Sequence, residues 1–111
     1  MAVRKPAPRS SCAVADAWHL LDNAGAISAD LDLTQIAGKP RFPPQRTTLW
    51  VDTNGAAIVL VDEAGVSATF AVPANGPLVI SRPIKQVTDS GTGDVNVLFE
   101  WFDVGTNDWN P

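Results

Sequence analysis

Side-chain catalysis needs a titratable or nucleophilic group held beside a partner that tunes it. This chain offers few such groups: one histidine (His19), one cysteine (Cys12) and no tyrosine. His19 lies in the run AWHLL, among bulky apolar residues. That setting suits a hydrogen-bonded structural imidazole better than a general base. Cys12 follows Ser11 and has no cationic or glycine-rich surroundings to stabilise a thiolate. It reads as a small buried hydrophobe or an incidental exposed thiol. Cys12 and His19 alone cannot build a tetrahedral metal site, and a single cysteine has no disulfide partner within the chain. Asp62 and Glu63 are adjacent in a turn, where paired acids serve solubility. The loop 89–94, DSGTGD, carries Asp89 and Asp94, whose oxygens suit a calcium ion. Its spacing matches no EF-hand, and no lysine follows the glycines as a phosphate loop requires. Turn geometry accounts for its Asp and Gly residues. The expectation is a protein that is not an enzyme and needs no cofactor or metal.

The elements that would position any site are strands. At 111 residues the chain fits one domain with one modest core. From residue 47 onward, short apolar segments alternate with turn signals. Residues 47–52 (TTLWVD) and 57–61 (AIVLV) flank the turn Asp52-Thr53-Asn54-Gly55. Residues 66–72 (VSATFAV) follow the turn Asp62-Glu63-Ala64-Gly65 and alternate with a period of two, Val66, Ala68, Phe70 and Val72 facing one way. After Pro73-Ala74-Asn75-Gly76 comes 78–88, one bent strand or two broken at Pro83, because proline cannot donate to a ladder. A last strand spans 95–104 (VNVLFEWFDV). Short strands joined by short turns predict an all-β fold, a small antiparallel β-sandwich or barrel.

Residues 1–46 have another texture. Pro6, Pro8, Pro40, Pro43 and Pro44 favour extended backbone. Residues 12–21 suit a short helix or an extended segment equally, and 29–36 (ADLDLTQI) alternates in a way that can add a strand. The run 38–46 (GKPRFPPQR) reads as an arm or linker. The expected organisation is therefore an extended proline-rich N-terminal arm over 1–46, a β domain over 47–104 and a tail over 105–111. Charge divides similarly: 1–46 nets +2 and 47–111 nets −6. An acidic body repels polyphosphate, so specific nucleic-acid binding is not expected. No apolar run reaches the roughly 20 residues of a membrane span. The opening MAVRKPAPRS lacks an apolar signal core, which predicts folding in a cytoplasm.

Two strands are apolar on both faces. In the last, Val95, Val97, Phe99 and Trp101 face one way and Leu98, Phe102 and Val104 the other; in the second, Ile58 and Leu60 oppose Val59 and Val61. An antiparallel sheet with one wet face keeps that face polar. The second face must be covered, either by the 1–46 segment or a second sheet of the same chain, or by another subunit. The four tryptophans (18, 50, 101 and 109) admit a different class of function, a carbohydrate-binding module that stacks indoles on sugars. Trp50 and Trp101 sit inside strands, however, where core or interface packing is their ordinary role.

The segments TTLWVDTNGAAIVLVDEAG, VSATFAVPANGPLVISRPIKQV, TDSGTGD and VNVLFEW together cover about half the chain. In order and patterning they resemble the spike-base proteins of tailed-phage-like particles and gene transfer agents and, more loosely, phage head-decoration proteins. Where that pattern has VPAG this chain has VPAN, with Gly76 one place later. The resemblance implies a structural virion protein, assembled in a host cytoplasm. It would decorate the capsid exterior or form the base of a head spike or fibre; a tail or adsorption-apparatus protein is the nearest alternative. Its partners would be the major capsid protein or other virion proteins, and further copies of itself in a homo-oligomer. The residues expected to touch partners are Arg41, Phe42, Pro43 and Pro44 in the arm, Val59 and Val61 on the second strand, and Phe102 and Trp109 near the end.

Overall fold

The computed structural model describes residues 14–51 and 56–111. Cys12, the basic residues Arg4, Lys5 and Arg9, and the turn 52–55 lie outside the described residues. The fold is all-β, two four-stranded antiparallel sheets packed face to face as a small sandwich, with a 3-10 turn at Ala24–Ala26. The strands are β1 (Ala17–Leu21), β2 (Leu31–Asp32), β3 (Arg46–Val51), β4 (Ala56–Asp62), β5 (Ser67–Val72), β6 (Leu78–Ile80), β7 (Ile84–Val87) and β8 (Val95–Trp101). One sheet has the order β1-β8-β3-β6 and the other β2-β7-β4-β5.

The core follows from the period of two. Val95, Val97, Phe99 and Trp101 of β8 are all fully buried, and Leu49 of β3 lies beside them. Ile58 and Leu60 of β4 with Val87 of β7 meet them from the opposite sheet. Each large side chain removed from water contributes about 1.5–3 kcal/mol, so this two-sided layer drives the fold. Thr47 is the one buried polar residue of the layer.

Pro83 explains the largest change of direction. β6 ends at Ile80 and pairs with β3, whereas β7 begins at Ile84 and pairs with β4 in the other sheet. A proline between them cannot continue either ladder, and the chain crosses from sheet to sheet there. β4 and β5 are the only consecutive described strands that pair. Their hairpin turn needs Gly65 at φ 85°, and Gly65 N donates to the Asp62 carbonyl at 3.0 Å. Asp62 Oδ1 accepts from the Ala64 and Val66 amides at 2.9 and 3.0 Å, so this acid is spent on the turn. Gly25 is required for another reason: a side chain there would collide with the Gly93 carbonyl, so the 3-10 turn and the 88–94 loop pack backbone to backbone.

Residues 14–46 contribute to both sheets. Residues 17–21, open to helix or extended chain by sequence, are strand β1 against β8, and β2 lies within the alternating 29–36 segment. Residues 38–46 lie against the end of the sandwich, with Pro40 and Pro44 fully buried. Pro44 O accepts from Ile84 N at 3.3 Å, and Gln45 grips the Phe102 backbone. Gln45 Oε1 accepts from Phe102 N at 2.6 Å and its Nε2 donates to Phe102 O at 2.9 Å. The tail closes over this segment. Pro40 and Trp109 form a β-bridge, and Asn110 N donates to Lys39 O at 2.9 Å. Asn110 Nδ2 lies 3.0–3.4 Å from the carbonyls of Thr34, Ile36, Lys39 and Pro40. Among the described residues no helix is long and apolar enough to cross a membrane.

Candidate functional site

The groups with chemical potential are tied to the fold. His19 points inward from β1 opposite Phe99, their rings 6.5 Å apart and 16° from parallel. Burial, and secondarily the Lys39 charge, lower its pKa from the ordinary histidine value. Asp62 Oδ2 pairs with Arg82 at 3.3 Å. In the DSGTGD loop, Thr92 exchanges two backbone hydrogen bonds with Ala57, at 2.8 and 3.1 Å, and Asp89 N donates to Asp30 Oδ1 at 3.0 Å. The loop therefore continues the β7 edge along β4. Among the described residues no three His, Cys, Asp or Glu side chains come together in a way that could hold a metal ion.

The distinctive surface is the outer face of the β1-β8-β3-β6 sheet. Because β8 and β3 bury every second residue, the residues between them face outward. Register sets them in rows: Trp18, Glu100 and Arg46; then Leu20, Leu98, Thr48 and Val79; then Asn96 and Trp50. Trp18 is 57% exposed, Val79 51% and Leu20 41%, and Leu98 and Trp50 are half-buried between them. Val14, Ala15, Trp18, Leu98 and Glu100 line a shallow groove of about 390 Å³ on this face. An antiparallel sheet face exposed only to water is ordinarily polar; a contiguous apolar one marks an interaction surface.

Two of the charges at the rim are paired with each other. Arg46 and Glu100 form a two-pronged ion pair, Nε to Oε1 at 2.8 Å and Nη2 to Oε2 at 2.9 Å, each side chain about 15% exposed. The Arg46 guanidinium also lies 4.9 Å above the Phe102 ring, and Lys39 Nζ stands 5.7 Å from the Trp18 ring. A partner meeting this face therefore removes apolar surface from water while Arg46 and Glu100 stay paired with each other, and the charge it must accommodate is the Lys39 ammonium beside Trp18. The opposite sheet presents Ala57, Val59, Val61, Ser67, Thr69, Ala71, Gln86 and Asp32 outward, with no aromatic side chain among them and with Val59 half-buried and Val61 7% exposed.

The residues expected from sequence to touch partners fall in three places. Arg41, Phe42, Pro43 and Pro44 come together with Trp109 at the end of the sandwich. Arg41 is exposed and its N–H donates to Asp108 O at 2.7 Å. Phe42 packs on the core and its carbonyl accepts from Trp101 Nε1 at 2.7 Å. Pro43 is half-buried, Pro44 fully buried, and Trp109 half-buried against the core. Phe102 lies nearby, 8% exposed beneath Arg46. Val59 and Val61 are on the other sheet, in β4; Val59 is half-buried and Val61 7% exposed. The sequence offers Trp18 only among the tryptophans that could stack on sugars, and gives no sign of Leu20 and Val79 as contacts. The second apolar face of β8 was the available signal, since Leu98 alternates with the buried set; which strands flank it is visible only once β1 and β3 are paired with β8. Comparison with protein-family models, with curated proteins and with solved structures finds no match to this chain.

Proposed function

We propose that the chain is a non-enzymatic structural component of a bacteriophage-like virion. It seats on the capsid exterior, as a decoration or as the base of a head spike or fibre, after assembly in a host cytoplasm. The observation that carries the reading is the apolar outer face of the β1-β8-β3-β6 sheet, where Trp18, Leu20 and Val79 remain exposed on a rigid sandwich. Such a face supports docking on another protein, and the strand patterning shared with spike-base proteins directs the proposal to a capsid. A tail or adsorption-apparatus position would use the same face.

The test is gradient purification of particles from producing cells, followed by quantification of the chain against the major capsid protein. The chain should band with particles at a fixed ratio, and Leu98→Lys, placed in the middle of the face, should release it while keeping the wild-type melting profile. A folded chain that stays wholly in the soluble fraction overturns the proposal. The second reading, a carbohydrate-binding module, draws on the exposed indole of Trp18 beside Glu100. A glycan array with binding lost in Trp18→Ala would favour it instead.

A further inference from the structure

We propose that the free edge of β5 is a self-association site, at which two copies pair β5 against β5 antiparallel about a two-fold axis at Thr69. The inference does not rest on the virion reading and concerns a different surface from the docking face. Among the described residues β5 is the outermost strand of its sheet. The Asp62 N to Val66 O bond fixes the hydrogen-bonding phase of the hairpin, so Ala68, Phe70 and Val72 turn their backbone groups toward β4. By the same alternation Ser67, Thr69 and Ala71 turn their N–H and C=O groups outward, to the open edge. Edge strands are commonly protected by charge, proline or a bulge. β5 has none of these, and all of residues 64–81 lack a charged side chain.

The occupant follows from charge and register. The chain carries −4 overall, so repulsion between two copies is least where the contact carries no charge, and residues 64–81 supply such a stretch. With the axis at Thr69, Ser67 meets Ala71 of the second copy and Thr69 meets its equivalent. Every outward backbone donor and acceptor of the strand is then satisfied. On the inner side the small Ala68 lies opposite Phe70 of the second copy. There the seam between the sheets is open, a cleft of about 130 Å³ lined by Leu60, Ala68, Phe70, Ile80 and Ile84. The incoming Phe70 covers that cleft and extends the core across the dimer. At the mouth, Asp62 and Arg82 already pair with each other, leaving no lone charge to desolvate. A six-residue edge offers less than the roughly 800 Å² per partner of a standard interface, so the dimer is concentration-dependent.

Sedimentation velocity of the full chain over a wide concentration range, paired with amide hydrogen exchange, tests this. A monomer–dimer equilibrium is expected. The amides of Ser67, Thr69 and Ala71 should gain protection as the dimer forms, while those of Ala68 and Phe70 are protected throughout. Thr69→Lys sets two ammonium groups face to face across the axis and should weaken the dimer roughly tenfold or more, with an unchanged melting profile at low concentration. A monomer at every concentration, a dimer indifferent to Thr69→Lys, or protection of these three amides only when another protein's strand is added would each overturn the proposal.

Discussion

Asn110, beyond the last strand, should be among the most sensitive positions of the described residues, although segments outside the strands are ordinarily the most tolerant. Its Nδ2 faces four backbone carbonyls, with the closest at 3.0 Å (Lys39) and 3.1 Å (Ile36). An amide has two protons to give, so two good hydrogen bonds form and the remaining carbonyls share them. Each bond contributes about 1 kcal/mol net, with a further cost when a carbonyl is left unsatisfied. Asn110→Ala should therefore cost about 2–3 kcal/mol. Asn110→Asp changes almost no volume but sets an acceptor-only, charged oxygen against the same carbonyls, and should cost about 1–2 kcal/mol more than the alanine variant. Urea unfolding at neutral pH measures both. Lowering the pH to protonate the new carboxyl restores one donor and should narrow the gap between the Asp variant and wild type. If both variants lie within about 0.5 kcal/mol of wild type, the range of an ordinary surface change, the tail does not hold residues 34–40 to the sandwich and the placement of that segment is wrong.

Other expectations follow from the same geometry. Removing only Glu100 takes the two-pronged carboxylate from a partly buried Arg46, so Glu100→Ala should cost about 2–3 kcal/mol. The double variant Arg46→Met/Glu100→Leu should cost clearly less than the two single losses summed, in a double-mutant cycle read by thermal unfolding. Thr47 Oγ1 is buried with no hydrogen-bond partner among the described residues, and Thr47→Val should raise stability by about 1–2 kcal/mol; a loss on calorimetry would mean that the hydroxyl is satisfied. His19 favours its neutral form in the folded chain because burial lowers its pKa. The unfolded chain then binds the proton first as pH falls through the ordinary histidine value near 6.5. Its contribution to stability is complete above that value and is lost below it. Wild type should lose melting temperature between pH 7.5 and 5.5, and His19→Gln should lose less; equal slopes would contradict the burial of this imidazole.

The strands were legible because their cause is local. The alternation in VSATFAV, the break at Pro83 and the buried set Val95, Val97, Phe99 and Trp101 each follow from a few adjacent residues. Which strand lies beside which was not legible. β8 pairs with β1 and β3, and β7 with β2 and β4. The closing residues of those pairs are far apart in the chain, and hydrophobic patterning is the same whichever neighbour is chosen. This is why the apolar outer face is not legible in the sequence: Leu98 reads as outward-facing, but Leu20 and Trp18 join it only through the pairing of β1 with β8. The proline-rich run 38–46 was read as an arm because its composition favours extended backbone. In the structure it turns and bends repeatedly, at residues 38–39, 41–42 and 45; the anchors that hold it down, Trp101 Nε1 on the Phe42 carbonyl and Gln45 on the Phe102 backbone, come from residues more than 50 positions away and leave no mark on the local sequence.

The docking claim is tested most directly by hydroxyl-radical footprinting of the chain free in solution and on purified particles. Trp18 and Val79 should be oxidised readily in the free chain and lose most of that reactivity on the particle, while Val66, exposed at the opposite sheet's hairpin, keeps its own relative to them. Equal oxidation of Trp18 in both states, on particles that carry the chain, would place the contact elsewhere and contradict the assignment of this sheet face.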